Sequence, residues 1–191
     1  MSIEPQIDGN LPDGVVLLPL RPHTDARGTL TEVHRDEWTP GAHAVQFNVV
    51  TSAAGVLRGV HVHVKHVDYL VVTSGRMLLG LHDLRDWSPT YRTSCMITLD
   101  GRQPKSVVTP CGVAHGFYFI EPSVHVYGVS HYWDTKDEIA CRWDCPELGL
   151  RWPATTPLLS ERDAAAGGYR QFTDTFRQAW ANMQSGNAMS S

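Results

Sequence analysis

Two short segments carry the side chains with the clearest chemical potential. Arg58, His61 and His63 fall within the run RGVHVH, and His115 follows in the run PCGVAHGF about fifty residues later. Apolar residues alternate through both runs, which predicts β-strands that direct the imidazoles and the guanidinium into a shared interior. Two such strands facing each other across a small barrel would form a pocket for binding anions or for metal-assisted chemistry.

The composition indicates a single globular domain. The chain has 191 residues, of which 42% are hydrophobic and 19% charged, values typical of a soluble protein. The net charge of -4 argues against nonspecific binding of nucleic acid, which requires a basic surface. No apolar run approaches the ~18 residues of a membrane span, and no basic segment leads into an apolar stretch at the N-terminus. We therefore expect a cytoplasmic protein.

Short apolar runs dominate most of the chain. We expect residues 1–14 to form a loose leader, 15–184 a single domain, and 185–191 a disordered tail. Many short strands at roughly ten-residue spacing, separated by turn residues, predict an antiparallel sandwich or barrel. The predicted strands lie at 15–18, 29–33, 44–50, 57–62, 69–72, 77–81, 94–99, 106–108, 117–120 and 124–129.

The C-terminal part of the chain has a different period. Phe172, Phe176, Trp180 and Met183 recur at steps of three and four residues, which predicts a short amphipathic helix. An apolar stripe of this kind is typical of a face that packs against the barrel or against a second subunit.

The ordered set of motifs resembles the nucleotide-sugar 3,5-epimerases, typified by dTDP-4-dehydrorhamnose 3,5-epimerase, in the cupin superfamily. The resemblance covers about residues 15 to 165. Its motifs, in chain order, are DARG at 25–28 with Glu32, QFN at 46–48, GVLRGVH at 55–61, DLR at 83–85 with SPTY at 88–91, PCGVAHGF at 110–117, VY at 126–127, WDCPELGLRWP at 143–153 and LSERD at 159–163.

This resemblance implies an all-β, antiparallel jelly-roll (cupin) barrel with a short C-terminal helical segment, assembled as a homodimer. It also implies an epimerase that acts on a dTDP-linked 4-keto-6-deoxyhexose at C3, C5 or both, without a metal or an organic cofactor. The chemistry is base-catalysed enolisation. A proton next to a ketone is weakly acidic, so the site needs a base on one face, a proton donor on the other, and a group that stabilises the enolate oxygen.

The resemblance also assigns roles to individual residues. His61 matches the base, Asp163 the carboxylate that pairs with it, and Tyr127 the proton donor on the opposite face. Arginine suits a diphosphate because its planar fork makes bidentate bonds to phosphate oxygens. The remaining matches are Arg27, Arg58, Arg162 and His115 for the diphosphate, Gln46 and Asn48 for the nucleotide and sugar, Glu32 for the edge of the nucleotide base, and Trp133 for a ring beside the ligand.

Three positions depart from the family pattern. The family lysine that helps to stabilise the enolate is replaced by Asp68, and an acidic residue expected in the following strand is Leu79. The residue two places after the base is His63. A negative charge near a forming oxyanion is unfavourable, so we expect Lys65 or His66 to supply the missing cation, or a change in the sugar or in the number of carbons inverted.

These departures leave two other hypotheses open. His61, His63, Asp68 and His115 approximate the three histidines and one carboxylate of metal-binding cupins, which would make the chain a metal-dependent isomerase or dioxygenase. The other hypothesis is a nucleotide-sugar binder that has lost the chemistry.

Overall fold

The structure is a computed structural model that describes residues 6–38, 43–134 and 138–188. Within these residues the chain forms thirteen β-strands and two α-helices. The strands are β1 (Ile7–Gly9), β2 (Val16–Pro19), β3 (Pro22–Asp25), β4 (Gly28–Thr31), β5 (Gln46–Ser52), β6 (Leu57–Val62), β7 (Asp68–Ser74), β8 (Arg76–Asp83), β9 (Ser94–Asp100), β10 (Lys105–Thr109), β11 (Val113–Phe119), β12 (Ser123–Val129) and β13 (Ile139–Ala140). The helices are α1 (Glu161–Ala164) and α2 (Tyr169–Ala188), with 3-10 turns at Asp36–Trp38 and Pro146–Leu148.

Two antiparallel sheets face each other, which confirms the predicted all-β class. The six-stranded sheet has the order β1-β9-β8-β11-β6-β13, and the five-stranded sheet has the order β2-β10-β7-β12-β5. Strands β3 and β4 form a separate hairpin. In the six-stranded sheet, His61 of β6 lies directly opposite His115 of β11, so the two histidine-bearing segments of the sequence are hydrogen-bonded neighbours.

The period of two in β6 divides its side chains between two environments. His61 is buried between the sheets, whereas Val60 and Val62 are buried on the outer face of the six-stranded sheet. Helix α2 covers this outer face with Phe172 and Phe176, each about 1% exposed. Burial of such a side chain contributes about 1.5–3 kcal/mol, so α2 fixes the strand that carries the histidines. The amphipathic stripe therefore packs against the barrel.

A close approach of two backbones shapes the histidine-bearing end of the six-stranded sheet. Gly59 has a φ of +118°, and a Cβ built there would lie 2.7 Å from the Cα of Gly116. A side chain at Gly59 would force β6 away from β11. The register between the two strands shifts between His115 and Phe117, next to this contact. Glycine at this point therefore sets the position of His61 relative to His115.

Two expectations for the ends of the chain are corrected. The predicted loose leader contains β1, which pairs with β9 from Ile7↔Ile97 to Gly9↔Cys95. The sequence gives no sign of β1 because its order comes from backbone pairing to a distant strand rather than from an apolar pattern. Helix α2 continues to Ala188, four residues into the predicted disordered tail. The rest of the leader, 1–5, and of the tail, 189–191, lies outside the described residues.

Among the described residues, no helix has the length and apolar character needed to cross a membrane.

Candidate active site

A cavity of about 430 Å³ opens between the two sheets at one end of the barrel. Its walls come from β6 and β11 of one sheet, from β7 and β12 of the other, and from the segment that leads into α1. Seven of the eleven predicted catalytic and substrate-binding residues line it. They are Arg58, His61, His115, Tyr127, Trp133, Arg162 and Asp163.

His61 and Asp163 form a short polar contact in this cavity. The Nε2 atom of His61 lies 2.7 Å from Oδ1 of Asp163, and both residues are buried. Asp163 also accepts a longer hydrogen bond, 3.5 Å, from the backbone N–H of Gly59. A carboxylate bonded to one ring nitrogen holds the imidazole in one orientation and stabilises its protonated form.

The ionised state of Asp163 is maintained by its neighbours. Burial opposes ionisation, but the hydrogen bonds from His61, from Ser160 and from the Gly59 backbone leave the pKa of Asp163 below its usual value. Ser160 is the N-cap of α1, and its Oγ accepts a hydrogen bond of 3.1 Å from the backbone N–H of Asp163. The first turn of α1 therefore places a carboxylate beside the imidazole.

Tyr127 faces the cavity from the opposite sheet. It lies on β12, while His61 lies on β6, so a ligand between the sheets would have these two groups on opposite faces. Burial raises the pKa of Tyr127, and the negative charges of Asp68 and Glu138 raise it further. The phenol is therefore protonated at neutral pH and has a proton to donate.

Arg58 supplies positive charge to the cavity. Its Nε donates a 3.2 Å hydrogen bond to Oγ of Ser52, and within the described part of the chain it has no carboxylate partner. Burial lowers the pKa of the neighbouring His125 to about 4, with a further contribution from the charge of Arg58. Arg58 is therefore the strongest candidate in the cavity for binding an anion.

The predicted phosphate ligand Arg162 is partly neutralised by an acidic residue. Arg162 forms an ion pair with Glu138, whose other carboxylate oxygen accepts a 2.7 Å hydrogen bond from Nε1 of Trp133. Glu138 thus ties the arginine and the tryptophan into one wall of the cavity. Glu138 was not predicted from the sequence, because it lies in an irregular stretch without a period.

Gln46 and Asn48 lie next to this wall rather than in the cavity lining. The side-chain amide of Gln46 makes two hydrogen bonds. Its Nε2 donates to Oδ1 of Asn48 at 3.0 Å, and its Oε1 accepts from the backbone N–H of Trp133 at 3.1 Å. Both residues share a face of β5 with Val50, which does line the cavity. They therefore position Trp133 in the single chain.

Arg27 and Glu32 are not brought into the cavity of their own chain. Arg27 lies at the turn of the β3–β4 hairpin, about 90% exposed, and pairs with Asp25 at 2.6 Å. Glu32 pairs with Arg35 at 2.6 Å and faces a different surface groove. Neither residue reaches the cavity of its own chain, because the hairpin forms a sheet separate from the barrel. Their assignment to the substrate site stays a prediction.

The position that departs most from the family pattern lies inside the cavity. The carboxylate of Asp68 faces Nε2 of His63, His66 and His115 at 3.8, 3.6 and 3.7 Å respectively. Burial raises the pKa of Asp68 well above its usual value, and the charge of Glu138 adds to this effect. Of the two residues expected to replace the missing lysine, His66 lines the cavity, whereas Lys65 is exposed and is not among the lining residues.

One family motif has a structural role instead of a role in the cavity. Asp83 is fully buried and accepts hydrogen bonds from Nε and Nη2 of Arg85 at 2.8 Å, and from the hydroxyls of Ser88 and Thr90 at 2.7 Å. This network fixes the loop between β8 and β9. The DLR and SPTY motifs of the sequence therefore stabilise the fold outside the site.

Comparison with known proteins gives consistent results. The sequence profile described as dTDP-4-dehydrorhamnose 3,5-epimerase matches residues 10–171. The chain is 34% identical over 173 residues to a protein of that name from Neisseria gonorrhoeae, covering 86% of this chain but only 52% of the relative. It is 33% identical over 162 residues to one from Pseudomonas aeruginosa, covering 80% of this chain and 89% of the relative.

A solved structure shares the architecture as well. A variant of a 3′-monoepimerase from Streptomyces bikiniensis, in complex with dTDP, superposes with a TM-score of 0.79 at 25% sequence identity, over 91% of each chain. The similarity therefore extends through both sheets and the cavity between them. The chain spans about half the length of the Neisseria gonorrhoeae relative and nearly all of the other two.

Proposed function

Because the chain belongs to the dTDP-4-dehydrorhamnose 3,5-epimerase family, a family of deoxysugar epimerases, we propose that it epimerises a dTDP-linked 4-keto-6-deoxyhexose at C3, C5 or both. The observation that carries this proposal is the placement of the buried His61–Asp163 pair on one side of the cavity and Tyr127 on the other. Two proton-transfer groups on opposite faces are what inversion at a carbon requires.

The proposed reaction begins with removal of the proton next to the 4-keto group by His61. The electron pair of the broken C–H bond moves onto the keto oxygen and forms an enolate, while Asp163 stabilises the resulting imidazolium. Tyr127 then donates its proton to the same carbon from the opposite face, which regenerates the ketone with inverted configuration. The imidazolium and the phenolate exchange protons with water between turnovers. The reaction is redox-neutral, so it requires no organic redox cofactor.

Nucleotide binding is assigned to the basic and aromatic groups around the cavity. Arg58 lies in the lining and offers a guanidinium for the diphosphate. His115 also lies in the lining, but its two ring nitrogens face the Val113 carbonyl and the Asp68 carboxylate. Trp133, held by Gln46 and Glu138, presents a ring at the wall. The dTDP-bound complex of the Streptomyces bikiniensis relative supports a nucleotide-linked substrate for this chain.

We include a homodimer in the proposal because two observations support a partner surface. The outward face of the edge strand β5 exposes Phe47 at 46% and Val49 at 71%, and the hairpin exposes Leu30 at 65%. Large apolar side chains on an edge strand favour association with another chain. Arg27 and Glu32 do not reach the cavity of their own chain. If a second copy covered this face, the two residues could contribute to the cavity of that copy.

Proton NMR in heavy water tests the proposed activity directly. The wild-type protein incubated with dTDP-4-keto-6-deoxyglucose is expected to incorporate deuterium at C3, C5 or both, which also counts the carbons involved. His61→Asn should abolish the exchange, while the control His43→Asn, an exposed histidine paired with Asp36, should not. Nucleotide binding without any exchange by the wild type would instead support a non-catalytic binder. A cytoplasmic location stays a prediction.

A further inference from the structure

We propose that His63, His66, Asp68 and His115 form a binding site for one divalent first-row transition metal ion at the inner end of the cavity. The proposal departs from the expectation that the protein works without a metal. It also revises the ligand set suggested by the sequence, because His61 is occupied by Asp163 and His66 lies beside Asp68.

The geometry of the four side chains is the primary support. Three imidazole Nε2 atoms surround one carboxylate at 3.6, 3.7 and 3.8 Å. With metal–ligand bonds of about 2.0–2.1 Å, two ligands of a tetrahedral ion lie about 3.3–3.4 Å apart. The three imidazole–carboxylate separations would therefore need to shrink by only a few tenths of an ångström. Within the described part of the chain, the ligand atoms of His63, His66 and Asp68 all lie within 4.8 Å of one another, and His115 reaches the same carboxylate from β11.

The tautomer of His115 gives a second line of support. Its Nδ1 lies 3.3 Å from the carbonyl oxygen of Val113 and can only be the donor in that contact. Nε2, the other ring nitrogen, therefore faces the Asp68 carboxylate at 3.7 Å. Two electron-rich groups facing each other in a buried site are stabilised by a cation between them, and a backbone carbonyl on the other ring nitrogen is typical of a metal-bound histidine.

The loop that carries His66 is held in place by a neighbouring strand connection. Sγ of Cys111 lies 3.2 Å from the carbonyl oxygen of His66, and the rings of His63 and His66 stack with centroids 3.9 Å apart. Both imidazoles are buried, at 6% and 2% exposure. The ligands are therefore positioned before an ion arrives. Three nitrogens and one carboxylate oxygen suit zinc, iron(II), cobalt(II) or nickel(II) better than magnesium or calcium, which prefer oxygen ligands.

The position of the site suggests what the ion would contribute, and this part of the inference rests on the proposed function. The four residues line the same cavity as His61 and Tyr127, and His115 lies directly opposite His61 in the sheet. A cation there would stabilise the negative charge on the enolate oxygen, whereas the Asp68 carboxylate alone would destabilise it. A metal ion thereby replaces the lysine that the family pattern has at this position.

Metal analysis and cobalt titration test the site. The full chain is purified without a polyhistidine tag and dialysed against a chelator. It is then expected to bind one equivalent of cobalt(II), which is detected by visible d–d absorption. Asp68→Asn and His66→Gln should each weaken cobalt binding by about 100-fold or more. The matched control is His125→Gln, which removes another buried histidine of the same cavity and should leave the affinity unchanged.

The outcomes separate the metal site from the proposed reaction. Wild-type protein that takes up less than a stoichiometric amount of cobalt, or that binds it no more tightly than the two ligand variants, overturns the site. This comparison stays informative if a variant fails to fold, because stoichiometry and the rise of wild-type thermal stability with added zinc need no variant. Stoichiometric metal without substrate exchange would contradict the proposed epimerase and leave the metal site standing.

Discussion

His61 and Asp163 are 102 residues apart in the chain, yet His61 Nε2 and Asp163 Oδ1 lie 2.7 Å apart in a buried contact. The pair forms because β6 packs against α2, and because Ser160 caps the first turn of α1, which carries Asp163. The proposed base therefore depends on the C-terminal segment, although the barrel itself consists of strands. This dependence leads to the first prediction.

Asp163→Asn should reduce the rate of substrate deuterium exchange by about 100-fold or more, because the imidazolium formed during proton removal loses its carboxylate. The dissociation constant for dTDP should change little, since Asp163 bonds to the imidazole and not to the proposed phosphate ligands. Exchange rates from NMR and dTDP affinity from calorimetry check both parts. Glu161→Gln, at an exposed position of the same helix, is the matched control. An equal loss in both variants would place the effect in helix folding.

Arg58→Ala should weaken dTDP binding by about 30-fold, which corresponds to the loss of about 2 kcal/mol from a charge-assisted hydrogen bond. Arg58→Lys should recover only part of the affinity, because an ammonium lacks the planar fork of the guanidinium. Calorimetric titration with dTDP measures both. The control Arg102→Ala removes an exposed arginine that pairs with Asp100 outside the cavity. Unchanged affinity in Arg58→Ala would remove this residue from the proposed diphosphate site.

Val49→Glu should convert the proposed dimer to monomers. Val49 is 71% exposed in the single chain, so a charge there costs the monomer little but would be buried in an interface through β5. Size-exclusion chromatography with light scattering gives the mass. Val16→Glu, at an exposed position on the opposite edge strand β2, should remain dimeric. A monomeric wild type, or a Val49→Glu protein that is still dimeric, contradicts this arrangement.

Asp83→Ala should lower the free energy of unfolding by about 3 kcal/mol at pH 7, because it leaves the buried Arg85 without its carboxylate. Burial opposes ionisation of Asp83, but the bonds from Arg85, Ser88 and Thr90 leave its pKa below the usual 3.8. As the pH falls, the Asp83 carboxylate is therefore protonated in the unfolded chain before it is protonated in the folded chain. The difference between wild type and variant is fully present above about pH 4 and should shrink below it.

Denaturant unfolding at several pH values measures this difference. Asp86→Ala is the control, since Asp86 is exposed and lies 3.8 Å from Arg177, a contact worth at most about 1 kcal/mol. A pH-independent difference for Asp83→Ala would show that lost packing, and not ionisation, causes the destabilisation.

The sequence was most informative where local pattern and burial agree. Residues 57–62 were predicted as a strand and form β6 with those bounds, because apolar and polar side chains alternate between the α2 face and the cavity. Strands that form only by pairing with a strand distant in the chain leave no such pattern in the sequence. Strand β1 depends on β9, and β13 has only two residues beside β6. Helix α1 is a single turn, too short for a helical period.

The same distinction applies to the site. His61, Tyr127 and Asp163 were assigned by resemblance, and the structure brings all three to one cavity. His66 was expected only as a substitute cation, because loop residues have no period that shows which way they point. Arg27 and Glu32 were assigned to the site, but the contacts within one chain place their hairpin elsewhere. Sequence similarity identifies residues that share a function without showing which copy of the chain supplies them.

The most direct test of the account compares deuterium incorporation with inversion in Tyr127→Phe. If His61 and Tyr127 act on opposite faces, this variant should still allow His61 to remove a proton and return a deuteron to the same face. We therefore predict deuterium at the exchanging carbon with its configuration retained, whereas the wild type gives deuterium with inversion. NMR coupling constants of the product in heavy water distinguish the two. Inversion by Tyr127→Phe at the wild-type rate would contradict the assignment of donor and base to opposite sheets.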